Sequence, residues 1–123
     1  PIKPLLNAGM IFEAIVLMLN NITANSVFYK KALKLEGAVT FNQIAMKCVY
    51  EMFMNIISEK STGKKSKYRW LTPEVISTYY AQSLCFITEG WIAQGMDDIE
   101  PKEMAEAYMY LITRSMDDIL SEL

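Results

Sequence analysis

The sequence predicts an all-α protein, one bundle of about five helices over residues 1–123, and three observations carry that prediction. Glycine (5) and proline (4) are scarce, so chain breaks are few and far apart. Apolar residues recur at spacings of three and four along several long stretches, as in helices that turn one stripe toward a core. No segment alternates apolar and polar residues with the period of two that marks a half-buried strand. With 52% of 123 residues hydrophobic, a single domain of this length buries roughly two-thirds of its unfolded surface.

The first helix is expected over residues 4–20. Its apolar residues, Leu5, Leu6, Met10, Ile11, Phe12 and Ile15 among them, cover nearly the whole circumference, which predicts a central helix surrounded by others. Asn20 to Ser26 is rich in residues that prefer caps and turns and is read as its end. A short helix over 27–36 follows, with Ser26 as N-cap and Gly37 as its stop. The third helix, 39–59, has the cleanest stripe: Phe41, Ile44, Cys48, Met52 and Ile56 lie on one side. Residues 58–71 form a basic connection carrying Lys60, Lys64, Lys65, Lys67 and Arg69, read as a solvated loop.

Thr72-Pro73-Glu74 opens the fourth helix with a capping hydroxyl, a proline at the first helical position and an acid in the first turn. This helix runs to about Gly95 and has two apolar faces: Ile76, Tyr80, Leu84, Ile87 and Trp91 on one, Val75, Tyr79 and Phe86 on another. Two such faces call for two partners, one inside the domain and one beyond it. Gly95-Met96-Asp97-Asp98 breaks the chain, and Pro101 starts a fifth helix reaching about Leu120.

Composition excludes most chemistry. There is no histidine, the commonest zinc ligand and the usual general base. Cys48 and Cys85 are the two cysteines; each sits in an apolar helical run, where a buried reduced thiol is the ordinary state. Only Arg69 and Arg114 supply guanidinium groups, so a site for a polyanionic substrate is not expected. Asp97-Asp98 and Asp117-Asp118 lack the further acids and the basic clamp of a metal–phosphate site. The expectation is no enzyme, no metal and no cofactor.

Net charge is −2 but unevenly spread. Residues 1–80 hold ten Lys and Arg against five Asp and Glu, whereas residues 81–123 hold two against nine. The acidic half is not a nucleic-acid surface. Ala8 to Leu19 is the one run resembling a membrane segment; it is about twelve residues long, contains Glu13, and falls short of the roughly twenty residues a span needs. No membrane association and a cytoplasmic location are expected. Because the chain opens at Pro1, it is read as one piece of a longer protein.

Nine methionines and fourteen aromatic residues supply more apolar surface than one small core requires. Unbranched methionine suits sites that accept varied apolar ligands. The candidates for a ligand pocket are Met10, Glu13, Leu17, Tyr29, Met46, Tyr50, Tyr79 and Phe86. Glu13 has two readings, a polar anchor inside the pocket or the residue that the first helix shows to solvent.

The segment Asn25-Ser26-Val27-Phe28-Tyr29-Lys30-Lys31-Ala32-Leu33, followed by a long amphipathic helix, resembles the middle of the C-terminal domain of TetR-family transcriptional regulators. Tyr79 through Phe86, then Glu89-Gly90-Trp91-Ile92, Gly95-Met96 and Glu100-Pro101-Lys102-Glu103-Met104-Ala105, resembles the tail of the subtype common in low-GC Gram-positive bacteria. Glu100 stands where such sequences often carry Ser or Thr. The family's N-terminal helix–turn–helix is not in this chain, so no residue here is assigned to DNA. The resemblance implies a homodimer whose last two helices pair with their copies in an intersubunit four-helix bundle. It implies contacts by Ser83, Ile87, Gly90 and Trp91 on the fourth helix and by Tyr108, Leu111, Ile112, Ser115 and Ile119 on the fifth. It also implies that the first four helices enclose a site for a small apolar or amphipathic effector, which acts allosterically on the DNA-reading module. The residues leave open an alternative, an all-helical protein–protein interaction module with no small-molecule ligand.

Overall fold

Polar residues at the end of the first apolar run do not stop the helix. A computed structural model describes residues 11–34, 38–60 and 67–123, and its first helix, α1 (Ile11–Ala24), continues through Asn20 and Asn21. The Thr23 hydroxyl donates back to the Leu19 carbonyl at 3.1 Å, a bond that accommodates a polar side chain within a helix. Continuation also brings Ile22 into the core. The turn comes at Asn25, whose side-chain amide donates to the Asn21 carbonyl at 2.9 Å, and α2 (Ser26–Lys34) leaves at 83° to α1. The expected start of the first helix at residue 4, Met10, and the stop at Gly37 lie outside the described residues.

The long helices are α3 (Ala38–Lys60) and α4 (Pro73–Ala93). At the start of α4 the Thr72 hydroxyl accepts a hydrogen bond from the Val75 amide at 3.2 Å, with Pro73 in the first turn, as the sequence predicts. Its end is set by Gly95 at φ 101°, a left-handed position that favours glycine. Met96 follows at φ 64°, which costs a non-glycine residue about 1–2 kcal/mol; its side chain packs on the core.

Where one final helix is expected, two are found, α5 (Pro101–Thr113) and α6 (Met116–Ser121). Arg114 is extended, and the Ser115 hydroxyl accepts from the Asp118 amide at 3.1 Å. Ser115-Met116-Asp117-Asp118 is a helix start, with an N-cap and two acids in the first turn. Glu100 precedes α5 without a side-chain cap.

Pairing of elements is simple: α3 lies along α4, α1 lies on α5, and α2 packs against α3 and α4. The core takes Ile15 and Leu19 from α1, Val49, Phe53 and Ile56 from α3, and Leu84, Trp91 and Ile92 from α4. Phe53 stacks on Tyr80 across α3 and α4, ring centres 5.6 Å apart. α1 is not wrapped on all sides, because Glu13, Leu17 and Asn20 form an exposed stripe. Among the described residues no single helix is long and apolar enough to cross a membrane.

Two side chains join α5 and its approach to α4. The Trp91 indole N–H donates to the Ile99 carbonyl at 2.9 Å. The Tyr108 hydroxyl, on a residue 1% exposed, donates to the Tyr80 carbonyl at 3.0 Å and lies 3.0 Å from the Ser83 hydroxyl. Burial pushes the Tyr108 phenol up to about 12 and the Cys85 thiol up to about 11. Above about pH 9 the folded chain therefore holds more protons than the unfolded one, so stability falls as pH rises. Chemical denaturation should give a midpoint that is unaffected by these two groups below pH 9 and declines between pH 9 and 12. Tyr108→Phe should weaken that decline, and an unchanged alkaline limb in the variant would contradict the assignment.

Candidate functional site

The first candidate is a cleft of about 220 Å³ walled by all of the first four helices. Met18 and Ile22 enter from α1, Tyr29 from α2, Ile44, Cys48 and Val49 from α3, and Leu84, Cys85, Thr88, Glu89 and Ile92 from α4. The lining is mostly apolar, its polar residues being Asn21 of α1, Tyr29 of α2, and Thr88 and Glu89 of α4. The Thr88 hydroxyl oxygen, on a residue 8% exposed, makes no hydrogen bond among the described residues. Beside it, the Glu89 carboxylate accepts from the Asn42 side-chain amide of α3. A mostly apolar concavity with a few convergent polar groups is the usual form of a small-molecule site.

The second candidate is the opposite face of α4. Tyr79 is 67% exposed and Phe86 78%, one above the other at a seven-residue spacing. With Ser83, Ile87, Leu111 and Ile112 they edge a groove of about 430 Å³ between α4 and α5. Large aromatic groups left bare on one helix face mark an interaction surface. α4 is therefore a wall shared by the cleft on one side and an exposed apolar face on the other.

Residues 10–114 match a family model described as the transcriptional regulator C-terminal region, of TetR type. The chain belongs to this family of TetR-type regulator C-terminal regions. No curated protein matches it, and no solved structure matches it. The family is regulatory rather than enzymatic, and its members generally act as dimers that bind DNA and small-molecule effectors.

Within this TetR-type region the residues singled out from sequence are distributed unevenly. Of the eight pocket candidates, Tyr29 lines the cleft. Met46 and Tyr50 are half-buried against the core on α3 and do not reach it. Glu13 and Leu17 point to solvent, so the second reading of Glu13 is the one the geometry matches. Tyr79 and Phe86 stand on the far side of α4, with the expected dimer contacts. Met10 lies outside the described residues.

The dimer candidates fall into two groups. Ser83, Ile87, Leu111 and Ile112 gather at the groove, and Gly90 is exposed further along α4. Tyr108 also lines that groove but is only 1% exposed, and Trp91 is 4% exposed inside the protomer; each has a hydrogen-bond partner within its own chain. Ser115 is the N-cap of α6, and Ile119 is half-buried on that helix.

Sequence reasoning missed Thr88 and Glu89 as cleft residues. Their signal is a hydroxyl and an acid directly beyond Leu84, Cys85 and Ile87, in a run otherwise apolar. The Asn42 contact lies 47 residues away in sequence, which no local pattern reveals.

Proposed function

We propose that this chain is the effector-sensing and dimerisation domain of a TetR-type transcriptional regulator, one domain over residues 1–123. A small apolar or amphipathic molecule occupies the cleft between α1, α2, α3 and α4. Two copies pair through the exposed faces of α4 and α5, with Tyr79, Phe86, Ile87, Leu111 and Ile112 meeting their counterparts in a four-helix bundle. DNA is read by a helix–turn–helix module that this chain does not contain. The observation that carries the reading is the double use of α4, cleft wall on one side and bare aromatic face on the other.

The mechanism follows from that arrangement. An occupant that fits one position of α4 better than another shifts the population toward it, by no more than its difference in affinity. Because the same helix carries the pairing surface, the displacement passes to the second subunit and changes the spacing of the two DNA-reading heads. Operator half-sites have fixed separation, so a small change in spacing alters DNA affinity. Light scattering of the purified chain at micromolar concentration should give the mass of a dimer; a monomeric mass would overturn the proposed pairing.

A further inference from the structure

The polar residues that α4 contributes to the cleft name a class of occupant. Thr88 and Glu89 are consecutive on α4 and both reach the cleft. The Thr88 oxygen is buried with no partner among the described residues, and a buried hydroxyl lacking a hydrogen bond is costly. Glu89 accepts from Asn42 at one oxygen; its other oxygen makes no hydrogen bond among the described residues. The Glu89 carboxylate is acceptor-only, and the Thr88 hydroxyl can accept or donate, so it is the carboxylate that selects a donor. Among the described lining residues there is no lysine or arginine to answer the carboxylate. Cys85 stays a neutral thiol, its acidity suppressed by burial and by the neighbouring Glu89. A cation with N–H donors is the complement to this set.

Size restricts the occupant further. About 220 Å³ lies below the roughly 300–1,000 Å³ of sites for drug-sized ligands, and at about 30 Å³ per water it admits about seven to ten non-hydrogen atoms. We propose that the cleft binds small primary alkyl- or arylalkylamines, the ammonium donating to Glu89 and Thr88 and the hydrocarbon lying against Ile44, Val49 and Ile92. The proposal rests on reading the cleft as the effector site.

The test is a matched series, n-hexylamine, 1-hexanol and hexanoate, measured by calorimetric titration of the whole chain at pH 7. Hexylamine should bind at least about tenfold more tightly than hexanol, with hexanoate weakest, since a charged hydrogen bond exceeds a neutral one by about that factor. Glu89→Gln should bring hexylamine down to the level of hexanol and leave hexanol unchanged. Thr88→Val, nearly the same size, should weaken hexylamine several-fold and provides the check if the Glu89 variant does not fold. Hexanol or hexanoate binding as tightly as hexylamine would overturn the amine assignment and leave the effector cleft standing. Hexylamine affinity unchanged in both variants would do the same. No binding by any of the three would overturn the cleft reading itself.

Discussion

Replacing Phe86 with glutamate should turn a dimer into a monomer without unfolding either copy. Phe86 is 78% exposed in the protomer and stands on the side of α4 away from the core. Its ring is the largest bare apolar group on that helix, and aromatic anchors near the centre of an interface typically carry about 2–4 kcal/mol. A carboxylate in its place meets its own copy or apolar neighbours across the interface, adding a desolvation cost. The dissociation constant should rise roughly 30-fold to 1,000-fold, visible as a fall to monomer mass in light scattering or sedimentation. Helicity and the monomer's own stability should move by no more than about 0.5 kcal/mol, as for other surface changes. A dimer mass that persists in the variant would place the pairing surface elsewhere.

Trp91→Ala should do the opposite, unfolding the protomer rather than separating two copies. The indole is 4% exposed and its N–H donates to the Ile99 carbonyl. Removing a buried aromatic ring costs about 3–5 kcal/mol through lost transfer energy and the cavity left behind. The orphaned carbonyl adds about 1 kcal/mol more. Against a total stability of about 5–15 kcal/mol that is a large fraction. Urea titration should show a markedly lower midpoint, and a loss below about 1 kcal/mol would contradict the packing described. The pair of variants separates two roles that periodicity alone merges, because Trp91 and Phe86 are both large apolar residues on one helix.

That merging is the main reason the site was less legible than the fold. Helix type and most boundaries follow from local signals: Thr72-Pro73-Glu74 begins α4 where expected, and Gly95 sits just past its end. The break before α6 was also legible, since Ser115 with Asp117 and Asp118 is a start signal, but the apolar residues on either side continue the period across it. Continuation of α1 to Ala24 was not legible, because it depends on the burial of Ile22 by other helices. Periodicity says that α4 has two apolar faces without saying which looks inward. It leaves Tyr79 and Phe86 open to a pocket role, while the family resemblance implies Trp91 and Tyr108 as dimer contacts. In the structure those two are tied within the protomer by their bonds to Ile99 and Tyr80.

The inward position of Trp91 and Tyr108 fixes an order of events during assembly. A protomer whose core closes without its twin folds in a first-order step, and association follows as a second-order one. In a dimer formed as proposed, every newly made chain passes through an interval with Tyr79 and Phe86 bare to the cell. That interval lengthens as subunits become scarcer, because collision with a twin slows while folding does not. Scarcity thus exposes the aromatic pair to other apolar surfaces for longest, and the cost of keeping few copies is borne before any effector is met.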